Sequence, residues 1–92
     1  MSRRSGRVRI ELYGIARLRA GCAAVDVTAG DLSEALGALV RRCPSLEPDV
    51  VSQGLLCQGY LASRNGERFL PDPSAPLQAG DTLLIVSSQA GG

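Results

Sequence analysis

The residues best placed to do chemistry are the last two. Gly91-Gly92 carries no side chain beyond Cα, so a narrow enzyme channel can admit it and use the terminal carboxylate as a reagent. Glycine also reaches backbone conformations that other residues avoid, so such a tail can take the shape a partner imposes. Against this stands the plainer reading of a frayed end or an expression scar. Little else in the chain could serve as a reagent. Histidine and lysine are absent, and no glycine-rich loop is followed by the lysine that a phosphate cradle needs. Asp72 and Asp81 would form a carboxylate pair only if brought together, and turn roles account for both. Cys22, Cys43 and Cys57 are odd in number and far apart in sequence, without a C-x-x-C pair. Metal ligation needs clustered ligands, so reduced thiols packed as small hydrophobes are expected. For want of catalytic residue types, an independent enzyme is the least expected reading.

The remaining composition narrows the field. Ninety-two residues make one domain, with the apolar content of an ordinary globular protein. The ten basic residues are all arginine and the net charge is +1. Arg3, Arg4, Arg7 and Arg9 crowd the N-terminus and read as a solvated arm. Only Tyr13, Tyr60 and Phe69 are aromatic, which argues against a basic, aromatic-studded nucleic-acid surface. Arg3-Arg4 is not followed by an apolar run of signal length, and no run is long enough to span a membrane. A cytosolic location is the expectation.

The elements that must position the tail follow from periodicity. Residues 1–6 read as a disordered arm. Arg7 to Tyr13 alternates, with Val8, Ile10 and Leu12 on one side and Arg7, Arg9 and Glu11 on the other, which predicts a half-buried strand. Gly14 and Gly21 bracket a turn region, and Val25 and Val27 face inward from a second strand. Asp31 with Glu34 predicts a capped helix start. Leu32, Ala35, Leu36, Leu39, Val40 and Cys43 then fall on one helical stripe, Arg41 and Arg42 complement its C-terminal end, and Pro44 stops it. Ser45 to Gly54 reads as a loop with one short helical turn around Asp49–Ser52. Leu55 to Arg64 reads as a third strand with a bulge at Gly59, turned by Asn65-Gly66 into a short return strand over Glu67 to Leu70. Pro71, Pro73 and Pro76 stiffen a crossing loop. After the Gly80-Asp81 turn comes a final strand over Thr82 to Val86, whose unbroken apolar run predicts a central strand buried on both faces.

One helix covering one face of a mixed four- to five-stranded sheet, with the last strand parallel to the first, is an α+β, β-grasp arrangement. It comprises a domain over 7–88 and a flexible tail over 89–92 that projects from a central strand.

In this order and spacing the chain resembles the ubiquitin-like sulfur carriers, and within them the molybdopterin synthase small subunits. The stretches that carry the match are Leu12-Tyr13-Gly14-Ile15-Ala16-Arg17 through Ala20-Gly21, Gly30-Asp31 with Leu32 and Leu36, Asn65-Gly66, Pro76-Leu77-Gln78-Ala79-Gly80-Asp81-Thr82, and Gly91-Gly92. Together they span residues 7–92. Ser87-Ser88 stands where the family commonly has two prolines, and Glu67 to Ala75 is longer than usual. The thiamin-pathway carriers are shorter and match Tyr13–Gly21 less well.

The resemblance implies a non-catalytic carrier subunit of a sulfurtransferase. An E1-like adenylating enzyme would use ATP and Mg²⁺ to convert the Gly92 carboxylate, presented through Gly91, to an acyl-adenylate. A persulfide donor would then leave a thiocarboxylate. In the nearest family a large synthase subunit holds the pterin precursor that accepts the sulfur. The chain itself would bind no cofactor, metal, nucleic acid or membrane. Docking would use an apolar patch on the sheet face away from the helix, with Val86 as the main contact and Phe69 as a second. The alternatives are a carrier for thiamin, cysteine or another metabolite, a ubiquitin-like modifier of target lysines, and a β-grasp interaction module with an incidental tail.

Overall fold

In the computed structural model, which describes residues 6–70 and 72–87, the alternating N-terminal run forms strand β1 (Gly6–Leu12). Val8, Ile10 and Leu12 are buried while Arg7 and Arg9 are exposed, as alternation requires. Gly6, placed in the arm on sequence grounds, already belongs to the strand. Met1 to Ser5 and the tail expected over 89–92 lie outside the described residues, as do Pro71 and Ser88.

The connection after β1 differs from expectation. Gly14–Ala20 is a helix, α1, rather than a turn. Its interior residues are good helix formers, and Gly21 ends it in the left-handed conformation at φ 77° while donating to the Arg17 carbonyl at 3.0 Å. Only Ala16 is buried, whereas Ile15 and Leu18 are exposed. Strand β2 (Ala24–Ala29) then returns antiparallel to β1, in register from Gly6↔Ala29 to Glu11↔Ala24. Val27 is fully inward and Val25 only partly.

Helix α2 (Leu32–Arg42) starts and stops where the sequence says. The Asp31 carboxylate accepts from the Glu34 N–H at 2.8 Å, and the Glu34 carboxylate accepts from the Gly30 N–H at 2.7 Å, one residue earlier than in a standard capping box. The proline-rich segment supplies the remaining acceptors. Leu32 N–H donates to Ala75 O and Ser33 N–H to Pro73 O, at 3.0 and 2.8 Å. These bonds take up the orphan donors of the helix start, so the crossing loop is also the cap of α2. We expect Asp31→Ala to cost about 1 kcal/mol, lowering the melting temperature by about 4–8 °C. Thermal unfolding followed by circular dichroism checks this.

Cys43 caps α2, and a single 3₁₀ turn, Pro44–Leu46, follows. The helical turn expected around Asp49–Ser52 is absent, and the chain instead forms a small hairpin. Strand β3 (Val51–Ser52) pairs with β4 (Leu55–Leu56) across Gln53 and Gly54, both at positive φ. Gly59, at φ 99°, sits in a turn that separates β4 from β5 (Tyr60–Arg64), so it breaks the expected strand instead of bulging it. Asn65-Gly66 does turn the next hairpin, with φ 57° and 72°, to β6 (Arg68–Phe69). The Asn65 side chain accepts from the Thr82 N–H at 2.8 Å, which ties this turn to the start of β7 (Thr82–Ser87).

The main sheet has the order β2-β1-β7-β5-β6. Strand β7 is central, parallel to β1 and antiparallel to β5. Leu83 and Ile85 are wholly buried, a gain of about 1.5–3 kcal/mol for each side chain. They join Val8, Ile10, Leu12, Leu36 and Leu39 in one core between the sheet and α2. Burial on both faces is not observed: Thr82, Leu84 and Val86 point the other way and are only half-buried. The helices cover one face, and among the described residues no second layer meets the other.

Candidate docking face and tail exit

The uncovered face is built by pairing. On β7, Leu84 and Val86 alternate with the core residues. On β5, Leu61 lies opposite Val86, and Ser63 lies opposite both Leu84 and, across β6, Phe69. Residues directly opposite in antiparallel strands share a face. Leu61, Leu84, Val86 and Phe69 therefore share one largely apolar face, with Ser63 between Leu84 and Phe69. Ser63 is buried at 7% between its neighbours, while Phe69 is 55% and Leu61 38% exposed. Val86 is half-buried on this surface beside Leu61, and Phe69 is exposed rather than in the core. Val86 and Phe69, the two contacts expected from the sequence, both stand on this face.

Sequence reasoning missed Leu61, Leu84 and Tyr13. Tyr13 follows β1 directly, its N–H donating to Ile85 O at 3.2 Å, which sets it beside the end of β7. Its hydroxyl donates to Glu11 Oε1 at 2.6 Å, and Arg9 Nε donates to Glu11 Oε2 at 3.2 Å. The apolar surface thus has a polar border along β1, where Arg9 and Glu11 stand level with Thr82 and Leu84. The Tyr13 hydrogen bond, followed by the Arg9 contact, holds the Glu11 carboxyl below its ordinary range. The same bond raises the Tyr13 phenol, because ionisation would lose it and set two negative charges together. In a Tyr60→Phe background, Glu11→Gln should move the Tyr13 titration back down toward the ordinary phenol value. Tyrosinate absorbance against pH reads this directly.

The rest of the described surface carries less. Asp72 accepts from the Ser74 N–H and hydroxyl, both at 3.0 Å, and these bonds lower its pKa. Asp81 accepts from the Gln78 N–H at 2.8 Å and from the Asn65 amide at 3.3 Å. Each carboxylate serves its own turn. Among the described residues no three His, Cys, Asp or Glu side chains gather as metal ligands, and no helix is long and apolar enough to cross a membrane. A groove of 310 Å³ lies between α2, β4 and β5, lined by Leu32, Leu36, Leu55, Leu56 and Tyr60 among others. Gly91 and Gly92 lie outside the described residues. The described chain ends at Ser87, paired with Tyr60 at the rim of the sheet, and five residues follow it in the sequence.

Comparison with known proteins gives a consistent fold. No family model matches the sequence, and no curated protein does. Among solved structures, one crystal structure of small archaeal modifier protein 1 from Haloferax volcanii is 31% identical, with a TM-score of 0.73, over 87% of this chain and 94% of that one. Another of that protein is 28% identical with a TM-score of 0.81, over 95% and 100%. The BexX/CysO complex of Amycolatopsis orientalis contains a chain 21% identical, TM-score 0.76, over 92% and 99%. The complex of subunits 1 and 2 of molybdopterin-converting factor from Helicobacter pylori contains one 19% identical, TM-score 0.64, over 94% and 99%. At those identities the last two speak for the fold alone. All share the fold of this chain over most of its length.

Proposed function

The chain belongs to the MoaD/ThiS-like family of ubiquitin-like sulfur carriers and modifiers, and on that premise we propose that it carries sulfur on its Gly92 carboxylate. The observation that carries the proposal is the course of β7. This central strand brings the chain to the sheet rim at Ser87, next to an exposed apolar face, five residues short of Gly92. Five residues span at most about 17 Å, so a partner seated on that face has the terminal carboxylate within reach of its own active site.

A carboxylate acylates poorly because its leaving group is oxide. Adenylation by an E1-like partner, with ATP and Mg²⁺ bound there, would give Gly92 AMP as a leaving group. The outer sulfur of a persulfide would displace it to give an acyl disulfide. A partner thiol would then attack the other sulfur, breaking the S–S bond to release the thiocarboxylate and leave a disulfide on the partner. Gly91 would keep the last two residues narrow enough to thread the partner's channel. The partner would supply the acid–base and nucleotide-binding groups, in keeping with a chain that has neither histidine nor lysine. As destination we favour molybdopterin synthesis, with this chain as small subunit of the synthase. The support is the sequence resemblance together with the fold shared with a molybdopterin-converting factor subunit 1.

A second reading has its own support, since the 31% identical neighbour is called a modifier. In that reading the same activated Gly92 is transferred to a lysine of another protein. Incubation with ATP, Mg²⁺, an adenylating partner and a sulfide source, followed by intact mass, tests the carrier. Replacement of one oxygen by sulfur supports it. An isopeptide-linked ladder in cells without thiocarboxylate would assign the tail to modification.

A further inference from the structure

Cys22 and Cys43 are 21 positions apart in sequence, yet their Sγ atoms lie 3.8 Å apart. The fold brings them together at two helix ends. Cys22 follows Gly21, which terminates α1, and Cys43 caps the C-terminus of α2. The third thiol is elsewhere, with Cys57 Sγ donating to the Pro48 carbonyl at 3.0 Å. All three are free thiols. The tail chemistry proposed above uses none of them.

We propose that Cys22 and Cys43 form a peroxide-responsive disulfide site. The sulfurs are in contact at 3.8 Å, so a bond of about 2.05 Å requires them to close by about 1.8 Å. Their environments divide the labour. Cys22 is partly exposed and meets the oxidant, whereas Cys43 is 6% exposed and is shielded from it. Burial, then the contact with Cys22, raises the Cys43 thiol above its usual range, so it is held protonated until a partner appears. The Cys22 sulfur attacks a peroxide oxygen, the O–O bond breaks, and sulfenic acid and water result. The Cys43 sulfur then attacks the Cys22 sulfur, the S–O bond breaks, and its thiol proton leaves with hydroxide as a second water. Peroxide is thereby reduced and both sulfurs oxidised, with no further reagent. The cross-link would tie the end of α1 to the end of α2, and α1 packs against β7, the strand that leads to the tail.

The test uses the full reduced chain, treated while folded with stoichiometric hydrogen peroxide, then labelled with N-ethylmaleimide in denaturant, and weighed intact. One added maleimide in place of three is the expected result, and Cys57→Ala should then add none. The variant is needed because no arginine lies between Cys43 and Cys57, so tryptic peptides cannot separate them. Closure should also be at least about tenfold faster in the folded chain than in denaturant, where only chain statistics bring the thiols together. Full maleimide labelling after peroxide, disulfide-linked dimers, an intramolecular disulfide that survives Cys43→Ala, or equal rates folded and unfolded would each overturn the proposal.

Discussion

Removal of Gly91 and Gly92 is expected to abolish adenylation and sulfur loading while leaving the domain folded. The core closes with residues between Val8 and Ile85, so the melting temperature should stay within about 3 °C, the scale of surface changes. The truncated chain keeps the apolar face, and with it the means of docking. It should therefore bind the activating enzyme and inhibit loading of the intact chain competitively. Gly91→Val should behave similarly, because a branched side chain blocks a channel cut for glycine and narrows the backbone conformations available. Pyrophosphate exchange and intact mass read both effects. Sulfur loading that persists without the two glycines would place the reacting group elsewhere and remove the carrier reading. Loss of competition would instead say that the tail, not the sheet face, makes the contact.

The fold could be read from the sequence wherever a local pattern decides the structure. The alternation of Arg7 to Leu12, the cap at Asp31, the helical stripe ending at Cys43 and the Asn65-Gly66 turn each rest on a few adjacent residues, and each is found in place. Helix α1 could not be read that way, because a single alanine supplies its buried face and two large apolar residues point to solvent. The β3–β4 hairpin escaped because two-residue strands are shorter than any period, and Gln53 is not a residue that announces positive φ.

The candidate site was less legible for a different reason. An unbroken apolar strand looks the same whether its second face meets another layer or a partner. Leu84 thus read as interior, and Val86 could be set on the outer face only by resemblance, until the sheet showed no described residue packed over them. Leu61 joins them only through its pairing with Val86, a register between residues 25 apart that no local pattern contains. The contact of Cys22 with Cys43 is of the same kind, made by tertiary packing of two helix ends.

A charge placed on the uncovered face is expected to weaken docking without touching the chemistry of the tail. Leu61 is 38% exposed, so Leu61→Glu should cost the free domain little. In a complex it would bury an unpaired carboxylate at the centre of the contact. Losses at such positions reach 2 kcal/mol or more, about 30-fold in affinity. In pyrophosphate exchange KM for the chain should rise by about that factor while kcat holds, the pattern of lost binding rather than lost transition-state contact. Phe69→Glu, on the same face, should raise KM as well. Leu55→Glu is the control, since Leu55 is exposed but lines the groove beside α2 and not the sheet face. Leu61 borders that groove too, which is why three variants are needed. A rise with Leu61→Glu and Phe69→Glu alone places the activating enzyme on the sheet. A rise with Leu61→Glu and Leu55→Glu, and none with Phe69→Glu, would move it to the groove and leave the sheet face without a role in activation.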